Sequence, residues 1–162
     1  MNPTQARLDQ DHRDIETLLD GLSHQAATSS PALRATFNQL EQRLMTHMEL
    51  EEQYLLPLVE ASHRAEAERT RLDHDRIRQL ISELGLAIEL RTAREHQVRE
   101  LIQVLREHAD REDFTIYRLA GDCASTAVEH RLATLLRGAA RSALAAAKRA
   151  VGSEPTEGRR AS

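Results

Sequence analysis

The sequence has few of the residues on which β-sheets and disulfide-bonded folds depend. Its 162 residues include no tryptophan, two tyrosines, two phenylalanines, five valines and six isoleucines, against 23 leucines and 23 alanines. Leucine and alanine favour helices, whereas β-branched and aromatic residues favour strands. The single cysteine, Cys123, excludes an intramolecular disulfide framework and every metal site that needs several cysteines. These shortages predict an all-α protein.

Charge and hydropathy narrow the class of function. The chain carries a formal net charge of −4, which argues against a protein that binds nucleic acid by neutralising phosphates. No apolar run approaches the ~20 residues that cross a membrane. The first residues also lack the apolar stretch of a signal peptide. We therefore expect a cytoplasmic protein of one domain that binds neither nucleic acid nor membrane.

Capping residues, glycines and prolines divide the chain into five predicted helices. We place them at about residues 4–25, 31–60, 64–90, 92–119 and 125–150. Pro31 follows two serines and opens the second helix, and Thr92 opens a capping box for the fourth. Pro57 is expected to kink or end the second helix, because it lacks a backbone N–H donor. Residues 151–162 have almost no apolar content and are predicted to be a disordered tail.

Apolar residues recur at alternating spacings of three and four along the first four helices, as on the inward faces of packed helices. Short connections between such helices imply an antiparallel arrangement. The predicted fold is therefore an up-down-up-down antiparallel four-helix bundle with an additional C-terminal helix, and it covers residues 1–150. The alanine-rich helix at 125–150 is expected to lie against the bundle.

Six positions on these inward faces carry polar side chains, which are unfavourable in an apolar core. They are His12, His47, Glu51, His74, His108 and Glu112. Burying an unpaired imidazole or carboxylate costs several kcal/mol, more than one leucine returns, so these groups must satisfy each other or hold a metal. Past the two glutamates the predicted inward faces continue at the same spacing. They pass through Tyr54, Leu58, Thr115 and Leu119.

The six residues form an internal repeat. His47 follows His12 after 35 residues. His108 follows His74 after 34 residues, and a glutamate stands four positions after His47 and after His108. The two sets superpose at an offset of 61–62 residues, as in a duplicated helical hairpin. Each hairpin returns its second histidine to the height of the first, at ~1.5 Å of rise per residue, so we expect all six side chains to meet in the bundle centre.

The donor set of this cluster narrows the choice of metal. Four imidazoles and two carboxylates, with no thiolate, suit iron, manganese or zinc. Two carboxylates between two pairs of imidazoles suit two ions, with each carboxylate bridging both; a polar network without metal is the alternative. Asp11 and Asp73 each precede a histidine of the cluster. We interpret them mainly as surface residues and, alternatively, as hydrogen-bond partners of metal-bound histidines.

The pattern H…HxxxE…H…HxxxE resembles the hemerythrin-like, or HHE cation-binding, domain, and the segment HMELEEQYLLP at 47–57 is similar to the second-helix signature of that family. The resemblance covers residues 8–119. It implies an up-down four-helix bundle around two non-heme iron ions joined by an oxo or hydroxo bridge. By this resemblance, two histidines serve each iron and two glutamates bridge them: His12 with His47, His74 with His108, and Glu51 with Glu112.

One ligand position departs from the family pattern. Oxygen-carrying hemerythrins have a further histidine one turn after the third-helix histidine, and this chain has Arg78 there. Each iron would therefore keep open coordination positions or need another ligand. Tyr54, one turn past Glu51 on the predicted inward face, is the nearest candidate. Tyr117 falls off that face, although some relatives carry a tyrosine near the metal there, and we expect one tyrosine to bind or hydrogen-bond at the iron.

Three functions fit these features. The first, which we favour, is a catalase- or oxidase-like redox enzyme whose open coordination positions admit peroxide or dioxygen. The second is a non-catalytic protein that binds O2 or NO, stores iron, or senses iron or oxygen. The third is a structural module that folds around iron and signals through the last helix or the tail. The missing fifth histidine counts against plain oxygen carriage.

Overall fold

The computed structural model of the protein describes residues 3–26, 31–123 and 134, which include helices and no strand. In chain order the elements are α1 (Pro3–Gln25), α2 (Pro31–Leu50), a first π-helical turn (Glu51–Leu55), α3 (Leu56–Glu60), α4 (Arg64–Glu89), α5 (Glu95–Arg111), a second π-helical turn (Glu112–Ile116) and α6 (Tyr117–Cys123). None of these helices combines the length and the apolar character that crossing a membrane requires. The predicted helix at 125–150, apart from Thr134, and the predicted tail at 151–162 lie outside the described residues.

Four helical rods make up the bundle. They are α1, α2 continued into α3, α4, and α5 continued into α6. Helix α1 packs against α2 and α5, and α4 packs against α2, α3 and α5. The chain leaves each rod at one end and returns in the next rod, which packs beside it. Consecutive rods therefore run antiparallel. The predicted all-α, up-down-up-down four-helix bundle is confirmed for the described residues.

The interior consists of two apolar layers with a polar layer between them. The larger apolar layer lies toward the C-terminal ends of α1 and α4 and includes Ile15, Leu44, Ile77 and Leu105. The smaller layer lies toward the opposite end, and its members are Leu8, Leu55, Leu56, Val59, Ala67, Ile116, Tyr117 and Ala120. Burying a leucine-sized side chain contributes about 1.5–3 kcal/mol. The apolar layers therefore hold the rods together on both sides of the polar layer.

Both π-helical turns begin at a glutamate of the sequence repeat. The backbone N–H of Leu56 donates to the carbonyl of Glu51, and that of Tyr117 donates to the carbonyl of Glu112. Each of these bonds spans five residues, whereas an α-helical bond spans four. The extra residue in each turn moves the inward face of the rod by one position.

The predicted inward face is therefore wrong by one residue beyond each glutamate. The residues expected on it are only half-buried: Tyr54, Leu58, Thr115 and Leu119. Their neighbours are buried instead: Leu55, Leu56, Val59, Ile116, Tyr117 and Ala120. A continuous α-helix carries positions i+3, i+4 and i+7 to one face, but a π-helical turn carries positions i+5 and i+8 there.

Pro57 neither ends the helical rod nor causes its π-helical turn. It lies exposed in the first turn of α3, where a missing N–H is tolerated. The other hairpin forms the same turn with Arg118 at the equivalent position. The turn is therefore a property of the repeat and not of the proline.

The predicted start of the fourth helix at Thr92 is also wrong. Helix α5 begins at Glu95, after an extended Arg94. Thr92 instead closes α4: its backbone N–H donates to the carbonyl of Ala87 at 2.8 Å. Arg91, just before it, adopts the left-handed conformation with φ of 56°, which turns the chain out of the helix.

Candidate metal centre

The six polar residues of the repeat lie together in the polar layer between the two apolar layers. Helix α1 and helix α4 contribute one histidine each, and each of the other two rods contributes a histidine and a glutamate. Five of the six side chains are buried and the sixth is half-buried: His47, Glu51, His74, His108 and Glu112, and then His12. The glutamates stand at the first residue of the π-helical turns.

One half of the cluster consists of His12, His47, Glu51 and Glu112, whose ligand atoms all lie within 4.8 Å of one another. The Nε2 atoms of His12 and His47 are 3.3 Å apart. Nε2 of His12 lies 3.6 Å from Oε2 of Glu112, and Nε2 of His47 lies 3.4 Å from an oxygen of the other carboxylate. Two nitrogens bound at ~2.1 Å to one metal ion lie about 3 Å apart, so these separations fit a shared cation.

The other half consists of His74, His108 and the same two glutamates. Nε2 of His74 lies 3.4 Å from Oε2 of Glu51 and 3.5 Å from Oε1 of Glu112. Nε2 of His108 lies 3.1 Å from Oε2 of Glu112. Glu51 directs one oxygen to each half, because its Oε1 faces His47 and its Oε2 faces His74. Both carboxylates therefore belong to both halves.

Several buried ligand atoms of this cluster have no hydrogen-bond partner among the described residues. They are Oε2 of Glu51, Oε1 of Glu112, and Nε2 of His74 and of His108. Leaving buried polar atoms unsatisfied costs about 1–3 kcal/mol each. A cation would satisfy all four, and imidazole nitrogens and carboxylate oxygens are ligands of iron, manganese and zinc. The residues present therefore fit a metal.

In the metal-free chain, protons supply positive charge to this cluster. Burial lowers the pKa of His12, but contacts with Asp113 and Glu112 outweigh burial and raise it to about 9. Burial likewise lowers the pKa of His74, whereas contacts with the two glutamates raise it to about 10. Burial raises the pKa of Glu112, but the charge of His108 and the histidine contacts hold it well below its usual range. The site thus attracts positive charge.

Three of the four histidines have a carboxylate against Nδ1, the ring nitrogen that faces away from the centre. Such a contact fixes the tautomer and the orientation of the ring, so that Nε2 is free to bind a metal. Asp11 with His47 and Glu52 with His74 are hydrogen-bonded at 2.8 Å, whereas Asp113 lies 3.2 Å from Nδ1 of His12 without forming a hydrogen bond. Nδ1 of His108 is buried and makes no hydrogen bond within the described part of the chain.

We call Asp11, Glu52 and Asp113, the carboxylates next to Nδ1 of these histidines, the outer carboxylates. The sequence predicts their role only in part. Asp11 is half-buried and holds His47, so the alternative given for it above fits the structure. Asp73 forms an ion pair with an arginine of α5. Glu52 and Asp113 carry no signal in the inward-face pattern. Each of them, however, directly follows a glutamate of the repeat, and the two recur at the offset of 61 residues, which is the signal that finds them.

The π-helical turns decide which tyrosine reaches the centre. Tyr117, five residues after Glu112, is buried; its hydroxyl donates to Oε1 of Glu51 at 2.5 Å and lies 2.9 Å from Nε2 of His12. Tyr54, three residues after Glu51, is half-buried and packs against the smaller apolar layer. The expected order of the two tyrosines is reversed, because a π-helical turn directs position i+5, and not i+3, to the centre.

A groove between α1 and α5 leads from the surface to the half of the cluster that contains His12. Its volume is about 470 Å³. His12 and Asp113 lie in it, Leu105 provides an apolar wall, and the half-exposed Arg106 and Glu16 pair across it. The side chain of His12 is 11% exposed, more than that of any other member of the cluster. His12 is therefore the member of the cluster that the groove reaches.

The bundle and its polar centre define a helical protein that binds metal cations. The family model of the hemerythrin HHE cation-binding domain matches residues 4–120. The chain belongs to this family, and the resemblance found in the H…HxxxE repeat is confirmed. Comparisons with curated proteins and with solved structures give no match.

Proposed function

We propose that the centre holds two non-heme iron ions and that the protein reacts with peroxide or dioxygen, as a catalase- or oxidase-like enzyme. One observation carries this proposal: both carboxylates belong to two groups of four ligand atoms. The donors therefore divide into two halves, each with two imidazoles and a share of both carboxylates. A donor set of this kind suits iron.

The proposed division of ligands follows the two groups. His12 and His47 serve one iron, His74 and His108 serve the other, and Glu51 and Glu112 bridge them. Two imidazoles and two carboxylate oxygens leave coordination positions open at each ion. Iron bound there would supply redox equivalents and a Lewis acid at those open positions.

Access and hydrogen bonding at the His12 half support a reaction with a small oxygen-containing molecule. The groove between α1 and α5 ends at His12. The Tyr117 hydroxyl lies 2.9 Å from Nε2 of His12 and donates its proton to Oε1 of Glu51, so it holds that carboxylate in place beside the ion of this half. Burial and the charge of Glu51 hold the pKa of Tyr117 well above its usual range, so the phenol keeps its proton. The apolar layers on both sides keep bulk water away from this donor.

The second candidate is a non-catalytic protein that binds dioxygen or nitric oxide, stores iron, or senses iron or oxygen at the same centre. One-sided access favours it. His74 is fully buried, and neither His74 nor His108 lines the groove. Among the described residues, the half with His12 is therefore the one that borders this groove, and a ligand that enters through it meets a single ion.

Oxygen evolution from hydrogen peroxide separates the two candidates. Disproportionation converts two molecules of peroxide into one of dioxygen and two of water, so it needs no external reductant. We expect the purified, iron-loaded chain to evolve oxygen and the variant His108→Ala to lose this activity. The matched control is His96→Ala, because His96 is exposed on the same helix. A wild-type chain with no turnover and tight dioxygen or nitric oxide binding would favour the second candidate.

A further inference from the structure

His47 is held by a carboxylate that is itself held by an arginine. Nδ1 of His47 donates to Oδ2 of Asp11 at 2.8 Å. Arg43, one turn before His47 on α2, donates to the other oxygen of Asp11 and also to Asp14, at 2.6 Å. The exposed fraction of the side chain is 2% for His47, 13% for Asp11 and 20% for Arg43. The three side chains thus connect the buried centre to the half-buried edge of the bundle.

His74 has the same support in the other hairpin. Nδ1 of His74 lies 2.8 Å from Oε1 of Glu52, and Arg78, one turn after His74 on α4, donates to the same oxygen at 2.8 Å. Arg78 therefore binds an outer carboxylate and does not itself enter the centre. In both units the histidine and the arginine lie on one helix, and the carboxylate comes from another rod.

The two arginines are not copies of one another in the sequence repeat. The residue equivalent to Arg43 in the second hairpin is Val104, and the residue equivalent to Arg78 in the first is Glu16. One arginine stands four residues before its histidine and the other four residues after. The same histidine–carboxylate–arginine arrangement thus occurs twice from unrelated positions, once in each half of the centre.

We propose that Arg43 and Arg78 are positioning residues that act through their carboxylate partners to keep Nε2 of one histidine in each half facing the metal. This inference rests on the proposed two-metal centre. A guanidinium that is hydrogen-bonded to a carboxylate keeps it in one orientation. A carboxylate at Nδ1 in turn fixes the imidazole ring and makes it a stronger ligand. Each arginine therefore acts mainly on the metal ion in its own half.

Release of Co²⁺ from the full chain tests this inference, because the visible spectrum of Co²⁺ reports its coordination. The variants Arg43→Met and Arg78→Met keep an apolar stem and remove the guanidinium. We expect each to release one of its two ions to EDTA about tenfold faster than wild type, since loss of an outer partner weakens metal binding ~10–100-fold. The two variants should affect different ions, with different changes in the visible band.

The matched control is Arg71→Met. Arg71 lies one turn before His74 on α4, pairs with Glu60 at 2.6 Å, and has a side chain 37% exposed against 34% for Arg78. Its ion pair does not reach a histidine, so Co²⁺ release should match that of wild type. Arg78→Lys keeps the positive charge but not the planar guanidinium, so it should release Co²⁺ at an intermediate rate. If a Met variant does not fold, the Lys variant at the same position replaces it in the experiment.

Two results would overturn the inference, and they are distinguishable from failure of the proposed centre. If both Met variants bind two ions and release them at the wild-type rate, the inference is rejected and the proposed centre is not. The same acceleration in Arg71→Met would also reject it, because the effect would then belong to any ion pair on the bundle. A wild-type chain that binds no Co²⁺ would reject the proposed centre and the inference together.

Discussion

The hydroxyl of Tyr117 donates a hydrogen bond of 2.5 Å to a carboxylate oxygen of Glu51 and so joins the second hairpin of the repeat to the first. The bond forms because the second π-helical turn directs Tyr117 into the centre. At the equivalent position of the first hairpin stands Leu56, whose buried side chain has no hydrogen-bond donor. The two halves of the centre therefore differ, because a tyrosine hydroxyl lies at the half that contains His12. The groove borders the same half.

Replacing this tyrosine should affect both stability and the metal. Tyr117→Phe removes a hydrogen bond to a buried charged group, so we expect the free energy of unfolding of the metal-free chain to fall by about 1.5–3 kcal/mol. The visible spectrum of the ferric-loaded protein should change as well, because the hydroxyl lies beside two ligand atoms of one half. Tyr54→Phe is the control and should leave the spectrum unchanged. The same spectrum in wild type and in both variants would contradict a role for either tyrosine at the iron.

The shifted inward face of α3 predicts which of two leucines is the core residue. Leu56 is fully buried, whereas Leu58, favoured by an unbroken α-helix, is half-buried. Leu56→Ala should lower the free energy of unfolding in urea by about 2–5 kcal/mol, the usual cost of a cavity. Leu58→Ala should cost clearly less. A larger loss in Leu58→Ala would mean that the π-helical turn is absent in solution.

The raised pKa values of the centre predict how stability depends on pH. In the metal-free folded chain the pKa is about 9 for His12 and about 10 for His74, against an ordinary value of 6.5. The stability linked to these protons is fully present below pH 6.5 and is lost as the pH rises through 9 and 10. Urea unfolding of the metal-free chain should therefore need less urea at pH 10 than at pH 7.

Metal uptake supplies the complementary measurement. A metal ion must displace the protons on His12 and His74, so binding at pH 7 should release protons into a weakly buffered solution. The metal-loaded chain should also show a flatter dependence of stability on pH. A metal-free chain whose stability increases from pH 7 to pH 10 would show that these histidines are not protonated in the folded state.

Filling the groove should slow the reaction without removing the metal. Ala109 lies in the groove and is half-buried, and Ala109→Trp would occupy part of its space. We expect slower oxygen evolution from peroxide at unchanged iron content, measured by metal analysis. Ala65→Trp, at an exposed position on α4, is the matched control. Equal rates in both variants would place the route to the centre elsewhere.

The fold and the polar cluster could be predicted because they depend on helical periodicity. As far as Glu51 and Glu112, the inward residues follow an α-helical spacing, and duplication at 61–62 residues sets the six polar positions apart from chance. Beyond these glutamates the prediction failed, since no local propensity marks a π-helical turn. The structure shows the same shift in both hairpins. The buried residues are 55, 56 and 59 in the first and 116, 117 and 120 in the second, and these positions match when the two hairpins are aligned at 61 residues.

The sequence could not show which histidine each supporting carboxylate contacts, since that depends on how the rods pack. Asp11 is adjacent to His12 in the sequence, yet it holds His47 on a neighbouring helix. Consecutive residues of a helix point about 100° apart, so an acid beside one ligand faces a different one. Arg78 likewise binds Glu52, 26 residues away, and spacing along one helix does not show this.

Counting the iron bound per chain tests the central claim most directly. Metal analysis of the iron-loaded full chain should give two irons for wild type. Glu51→Ala should give fewer, because each carboxylate belongs to both halves, whereas Glu49→Ala, at an exposed position on α2, should again give two. No bound iron in wild type, or two irons in Glu51→Ala, would contradict the proposed shared centre.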